Sequence, residues 1–140
     1  MIYVDTSVLV ALFLNETRSA KVSNWYAAVT EELVSAVWCV SEFASALGMK
    51  HRSGQIDETG VVAAWQQFTR MCANDLLLLP LEPGTFHRAA ALSLDAAFGL
   101  RAGDALHLAA ALDNKAASMV TLDDVLARNC KRMKLKLTAL

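Results

Sequence analysis

Apolar residues in this chain follow two kinds of pattern. Short continuous apolar runs predict buried strands at residues 2–4, 33–37, 76–79 and 117–121. Elsewhere apolar positions recur at helical spacing, and in residues 57–73 they share one helical face: Val61, Ala64, Trp65, Phe68 and Cys72. Further helices are predicted at residues 8–13, 19–29, 40–50, 85–97 and 106–112, with a short one after residue 121. The chain therefore alternates strand and helix.

This alternation predicts an α/β fold with a central, mostly parallel sheet of four to five strands. Helices would cover both faces of that sheet, and the alternating residues 134–138 suit an edge strand. No linker divides the chain, so we expect one domain over residues 1–140. In such open sheets, ligands bind beyond the carboxyl ends of the strands.

Composition excludes several classes of protein. The apolar content of 55%, with two prolines and six glycines, is typical of a globular protein and excludes a disordered or collagen-like chain. Cys39, Cys72 and Cys130 are odd in number and widely spaced, which fits reduced thiols in the cytoplasm. Because Asp5 interrupts the apolar start and the run 8–14 is short, we expect no membrane segment and a cytoplasmic protein.

Charge is balanced over the chain but uneven along it. A net charge of −1 excludes strong attraction of the whole protein to nucleic acid. After Asp124, however, every charged side chain is basic: Arg128, Lys131, Arg132, Lys134 and Lys136. A solvated surface and a phosphate-binding patch both fit this run.

Four carboxylates have unusually apolar neighbours. Asp5 in MIYVDTSVLVALFL and Asp123 in VTLDD each follow a predicted strand, and Asp104 begins the most apolar predicted helix. Glu42 lies on a helical face of small or apolar residues. Each has a simpler explanation, since the aspartates would serve as helix caps and the glutamate would face solvent.

Convergence of the four would have a chemical consequence. Like charges a few ångströms apart resist simultaneous ionisation, so they would need a cation. Donor sets made only of carboxylate oxygens favour a hard ion, Mg²⁺ or Mn²⁺, over zinc. Such an ion can activate water and neutralise charge during phosphodiester hydrolysis.

The segments IYVDTSVLVALF, VSEFASAL, GDALHLAAAL and VTLDDVLA resemble the acidic motifs of PIN-domain ribonucleases in order and approximate separation. Over essentially its whole length, the chain most resembles the VapC toxins of bacterial toxin–antitoxin pairs. The resemblance implies a three-layer α/β/α fold, metal-dependent endoribonuclease activity and a homodimer. It also implies a small VapB-type antitoxin that blocks the acidic pocket and binds operator DNA.

Matched by position, the resemblance also assigns site residues. The catalytic acids are Asp5, Glu42, Asp104 and Asp123. Asp5 and Asp104 would bind Mg²⁺ or Mn²⁺ directly, Glu42 would be a ligand or a base that orients water, and Asp123 would complete the metal site, directly or through water. Thr6 and Thr121 match hydroxyl positions that line the family's pocket.

Three points stay open in the sequence. Either Asp123 or Asp124 can face the site; the position after Thr-Leu favours Asp123 and makes Asp124 a helix-start residue. His107 shares a helical face with Asp104 but, with no second histidine at ligand spacing, is better explained as a packed core residue. Ser7 fits either site orientation or helix capping.

Contacts to RNA phosphates are expected from Arg101, Arg128 and Lys131, although the same basic surface suits an acidic antitoxin segment. Two other classes compete with the toxin. A PIN-like nuclease in RNA processing or DNA metabolism would share the fold and the acids. A Mg²⁺-binding receiver-type or haloacid-type domain is disfavoured, because Thr6 and Ser7 stand where those classes carry further acids.

Overall fold

The computed structural model describes residues 1–140 and confirms the alternation of strands and helices. The elements are β1 (Ile2–Val4), α1 (Thr6–Phe13), α2 (Ser19–Ala28), β2 (Leu33–Ala36), α3 (Trp38–Arg52), α4 (Glu58–Asn74), β3 (Leu76–Leu79), α5 (Pro83–Leu94), α6 (Ala102–Asp113), β4 (Ser118–Val120), α7 (Asp124–Arg132) and β5 (Lys136–Leu137).

All five strands pair in parallel, in the order β3-β2-β1-β4-β5. Strand β1 lies at the centre, with Tyr3 opposite Val34 of β2 on one side and Met119 of β4 on the other. The chain builds the sheet outward from β1 through β2 to β3 and then crosses back to β4. The strand order therefore reverses beside β1, and ligands of open α/β sheets bind at such a reversal.

Helices cover both faces of the sheet, which confirms the three-layer α/β/α fold. Ile2 and Val4 of β1 belong to the core beneath α1, α2, α3 and α4. Tyr3, between them, belongs to the opposite core beneath α5, α6 and α7. This alternation follows from the two-residue period of a strand. None of the helices is long and apolar enough to cross a membrane.

The ends of two elements differ from the sequence prediction. Helix α5 ends at Leu94 rather than residue 97, because the Asp95 carboxylate accepts the Ala97 N–H at 3.0 Å and closes a turn. Strand β5 contains only two residues, since Lys134 adopts a φ of 60°, which no strand allows. Residues 134–138 nevertheless contribute an edge strand, as predicted.

An aromatic cluster joins α1, α3 and α4. The rings of Phe43 and Phe68 stack with centroids 4.2 Å apart, and Phe13 contacts both edge-on at 6.0 and 6.5 Å. Phe43 and Phe68 are fully buried. Because Phe43 directly follows Glu42, this cluster also determines where α3 places that carboxylate.

We expect Phe43→Ala to lower the free energy of unfolding by about 3–5 kcal/mol, because it leaves a cavity and removes the stacked contact. Urea unfolding followed by circular dichroism measures the change. Val62→Ala on the exposed face of α4 is the control and should stay within about 0.5 kcal/mol of wild type. Equal losses for both variants would show that the stack contributes little.

Candidate metal-binding acidic site

The four acids predicted from sequence lie at the carboxyl end of the sheet, near the N-termini of four helices. Asp5 is the N-cap of α1, Asp123 is the N-cap of α7, and Asp104 lies in the first turn of α6. Glu42 lies in the second turn of α3. A helix N-terminus carries partial positive charge, which attracts carboxylates at the cap and in the first turn.

Asp5 is buried and well bonded. Its Oδ2 accepts hydrogen bonds from the Ser7 hydroxyl, from the Ser7 N–H at 3.3 Å and from the Thr121 hydroxyl at 2.8 Å. One carboxylate oxygen therefore both caps α1 and connects it to the end of β4. The sequence presents helix capping and a place among the acids as alternatives for Asp5, and in the structure Asp5 has both.

Two hydroxyl groups connect Asp5 to the loop after β4. Thr121 Oγ1 accepts the Asp123 N–H at 3.0 Å, and Ser7 Oγ accepts the Leu122 N–H at 3.0 Å. Thr121 thus bonds the side chain of one acid and the backbone of another. Ser7 also orients the site, a role that local sequence could not separate from capping because its partner is more than 100 residues away.

The structure distinguishes Asp123 from Asp124. Asp123 Oδ1 accepts the Leu126 N–H at 2.7 Å and so caps α7. Its negative charge also raises the pKa of Asp104, whereas Asp124 is exposed in the first turn of α7. The charge of Asp123 therefore acts on Asp104, and Asp124 lies in the first turn of α7.

Glu42 does not extend into solvent but bonds to the opposite helical layer. Its Oε2 accepts hydrogen bonds from the Thr6 hydroxyl and from His107 Nε2, both at 2.5 Å. His107 is fully buried, and its Nε2 lies 3.8 Å from Asp5 Oδ1. The histidine is thus a packed core residue, as sequence favoured, and it also joins two of the acids.

Burial and charge divide the site into two halves. Burial, together with the negative charges of Asp123 and Asp5, raises the pKa of Asp104 to about 6. Burial alone would also raise the pKa of Glu42, but the hydrogen bond and positive charge of His107 outweigh it and lower that pKa. Reciprocally, the nearby carboxylates outweigh burial and raise the pKa of His107. Glu42 has a partner for its charge, whereas Asp104 has mainly like-charged neighbours.

The donor chemistry of the site fits a divalent cation. Asp5, Asp104 and Asp123 offer only oxygen atoms, which suits Mg²⁺ or Mn²⁺. No three acidic, histidine or cysteine side chains surround a common point at ligand distance. The fit therefore rests on the crowding of negative charge around Asp104, which a cation would relieve.

Gly103 makes room for Glu42. A Cβ atom at this position would lie 2.5 Å from Glu42 Oε1 and 3.4 Å from Trp38 Nε1. Because Gly103 lacks a side chain, α3 and α6 approach closely enough for Glu42 to reach His107. The buried Trp38 N–H lies near this carboxylate and helps to lower its pKa, although it makes no hydrogen bond of good geometry. The sequence pattern gave no sign of this contact.

The predicted RNA-contacting residues are exposed and lie on the elements that carry Asp104 and Asp123. Arg101 precedes α6, and Arg128 and Lys131 lie on α7; all three are exposed. Arg132 donates to the Ala97 carbonyl at 2.7 Å and lies over the Phe98 ring at 5.0 Å. A cleft of about 270 Å³ lies between α7 and residues 96–99. It is lined by Arg128, which was predicted to contact RNA, and by Arg132, which was not, whereas Lys131 lies outside it.

The three cysteines are free thiols. Cys39 and Cys130 are buried, and burial raises the pKa of each thiol to about 12. Cys72 is half-buried, and burial also raises the pKa of its thiol. All three are unpaired thiols that stay protonated at neutral pH.

A parallel α/β/α sandwich with acids at the strand ends is the arrangement by which the chain can be assigned to a family. Residues 2–132 match the PIN domain family model, so the chain belongs to the PIN domain family. No curated protein matches the chain in sequence.

Solved structures with the same fold come from several organisms. VapC20 of Mycobacterium tuberculosis, described as a toxin that cleaves the sarcin–ricin loop, is 16% identical over 92% of this chain and 95% of its own, with a TM-score of 0.75. PAE2754 of Pyrobaculum aerophilum is 20% identical over 97% of this chain and 81% of its own, with a TM-score of 0.69. VapBC2 of Rickettsia felis, bound to promoter DNA, is 17% identical over 99% of this chain and 98% of its own, with a TM-score of 0.64. At such identities the similarity shows the fold.

Asp104→Asn should stabilise the protein when EDTA keeps it free of metal. A folded-state pKa raised to about 6, against 3.8 in the unfolded chain, means that ionisation of Asp104 opposes folding. The variant should gain about 1 kcal/mol at pH 7.5, a value that allows for solvent screening of a half-buried group. The gain should shrink as the pH falls below about 6 and vanish below about 4.

Urea unfolding at a series of pH values checks this. Asp57→Asn is the control, because Asp57 caps α4 at the surface and asparagine caps equally well. A loss of stability in Asp104→Asn at pH 7.5 would show that the carboxylate serves the N-terminus of α6 more than it suffers from its acidic neighbours.

Proposed function

We propose that this chain is a Mg²⁺- or Mn²⁺-dependent endoribonuclease and the toxin of a VapBC toxin–antitoxin pair. One observation carries the proposal: Asp104 is half-buried and feels the negative charges of Asp123 and Asp5, and burial together with these charges raises its pKa to about 6. A site with that much uncompensated negative charge is suited to a cation and, through the cation, to phosphate.

The chain's own residues would divide the work of hydrolysis. A divalent ion bound by Asp5, Asp104 and Asp123, the last directly or through water, would supply the Lewis acid that activates water and neutralises phosphate charge. Glu42, whose pKa is lowered, is ionised at neutral pH and can accept a proton from the attacking water or orient it. Thr6 and Thr121 fix the carboxylates of Glu42 and Asp5 by donating hydrogen bonds.

The basic surface beside the acids supports RNA as the substrate. Arg101 lies three residues before Asp104, and Arg128 follows Asp123 by about 7.5 Å of helical rise along α7. Lys131 and Arg132 continue the positive charge toward the end of that helix. These guanidinium groups are the proposed contacts for the phosphates of an RNA strand bound at the acids.

The relatives support the toxin assignment. One is described as a toxin that cleaves the sarcin–ricin loop, and another is VapBC2 bound to a DNA fragment from its promoter. By analogy, this chain would bind a small VapB-type antitoxin that covers the acidic pocket. A homodimer is also part of the proposal, and the exposed apolar Phe86 and Leu94 on α5 suit packing against a second copy.

Purified protein should cut RNA in Mg²⁺ or Mn²⁺ and stop when EDTA is added. Asp5→Asn should lower the cleavage rate at least about 100-fold, because the ion loses a carboxylate ligand. Sequencing of cut ends in total RNA, wild type against Asp5→Asn, measures activity and identifies the target together.

The control Asp57→Asn should cut as fast as wild type, and circular dichroism should show that Asp5→Asn is folded. Unfolding of Asp5→Asn would instead assign Asp5 to structure alone.

The same pair of proteins tests the toxin assignment, because expression of wild type should arrest bacterial growth while Asp5→Asn should not. A protein that cuts RNA but leaves growth unaffected would favour RNA processing outside a toxin pair.

Arg128→Gln should weaken RNA binding and its salt dependence. On an Asp5→Asn background, which binds without cutting, the slope of log K against log[salt] for a 12-nucleotide single-stranded RNA should fall by about 0.7, the value for one phosphate contact. Fluorescence anisotropy between 50 and 300 mM KCl measures it.

Arg70→Gln removes the same charge from an exposed site on α4, in the opposite helical layer, and should leave the slope unchanged. If the two variants behave alike, α7 does not contact the RNA. If Arg128→Gln leaves RNA binding intact but weakens an acidic antitoxin peptide, the basic surface serves the partner protein.

A further inference from the structure

His107 has a hydrogen-bond partner at both ring nitrogens, although no part of its side chain reaches solvent. Nδ1 lies 2.8 Å from the Tyr3 hydroxyl, and Nε2 lies 2.5 Å from Glu42 Oε2. Nε2 is also 3.0 Å from the Thr6 hydroxyl. A histidine bonded on both sides cannot rotate without breaking buried hydrogen bonds, so its orientation is fixed.

The direction of these hydrogen bonds follows from the backbone of β2. The Ala36 N–H donates to the Tyr3 hydroxyl oxygen at 3.0 Å. Tyr3 is fully buried, so its own proton needs an acceptor, and in a neutral imidazole His107 Nδ1 is that acceptor. Nδ1 is then unprotonated, and the ring hydrogen is on Nε2, where it faces Glu42.

Glu42 depends on this arrangement for its position. It is only partly buried, and its other oxygen, Oε1, lies against Gly103, which offers no hydrogen-bond donor from a side chain. The direction of the carboxylate is therefore set by its two donors, Thr6 and His107.

We propose that Tyr3 and His107 form a buried positioning pair that directs Glu42 into the acidic site. The pair acts through Glu42 and touches neither the cation nor the RNA. Tyr3 lies in β1, His107 in α6 and Glu42 in α3, so the pair connects the central strand to both helical layers. Its effect on cleavage rests on the proposed function, whereas the hydrogen bonds themselves do not.

Tyr3→Phe tests the pair because it removes a single hydroxyl group and keeps the ring. We expect kcat for RNA cleavage to fall about tenfold with KM changed less than twofold, since a misdirected Glu42 impairs the chemical step and not RNA binding. Thr85→Val is the matched control: it removes a buried hydroxyl that donates to Asp113 at 2.8 Å at the far end of α6. That variant should lose stability and keep kcat.

Ring nitrogen NMR of His107 supplies a readout independent of activity. In metal-free wild type without RNA, at an alkaline pH that keeps the ring neutral, His107 should show a protonated Nε2 and an unprotonated, hydrogen-bonded Nδ1. Tyr3→Phe should shift the Nδ1 resonance, while Thr85→Val should not. A neutral ring protonated at Nδ1, or spectra and kcat unchanged by Tyr3→Phe, would overturn the proposal.

A second pair of variants separates positioning from packing. His107→Gln keeps a donor that can reach Glu42, whereas His107→Leu fills the space without one. We expect the glutamine variant to retain at least about tenfold more kcat than the leucine variant. Equal activity of two folded variants would assign His107 to packing alone. If wild type cuts no RNA, the proposed function fails, and the ring spectra still decide whether the pair exists.

Discussion

Repulsion among carboxylates at the carboxyl end of the sheet is the interaction on which the site depends. The parallel sheet places the carboxyl ends of β1, β2 and β4 side by side, so residues that follow these strands lie close together. The protein offsets the repulsion with helix N-termini and hydroxyl donors around Asp5 and with His107 beside Glu42. Asp104 is half-buried and has mainly like-charged neighbours, so its pKa is raised.

Helix capping and site chemistry share the same atoms here. A capping aspartate needs one oxygen for the backbone N–H groups of the next turn, and the other oxygen stays available. Asp123 bonds Leu126 through Oδ1, and Asp5 uses Oδ2 for its bonds to Ser7 and Thr121 while Oδ1 points toward His107. The cap fixes the direction of a carboxylate that would otherwise rotate, so the structural role prepares the chemical one.

Sequence predicted what depends on local pattern. The strands, the layers and the position of Asp5, Asp104 and Asp123 at strand ends or helix starts all follow from apolar periodicity and the family resemblance. The contacts of His107 did not follow, because its partners Tyr3 and Glu42 are 104 and 65 residues away. The role of Gly103 was invisible for the same reason, since helical spacing shows which face is apolar but not which side chain comes to meet it.

The two halves of the site suit different tasks because they differ in charge balance. Glu42 has a cationic or donating partner in His107 and a pKa below its ordinary value, so it can keep its charge before any cation arrives. Asp104 faces like charges and is partly protonated near pH 6, so a divalent ion would displace a proton as it binds. Cation affinity should therefore be carried by the Asp104 half and depend on pH, while the position of Glu42 is set by its hydrogen bonds from Thr6 and His107.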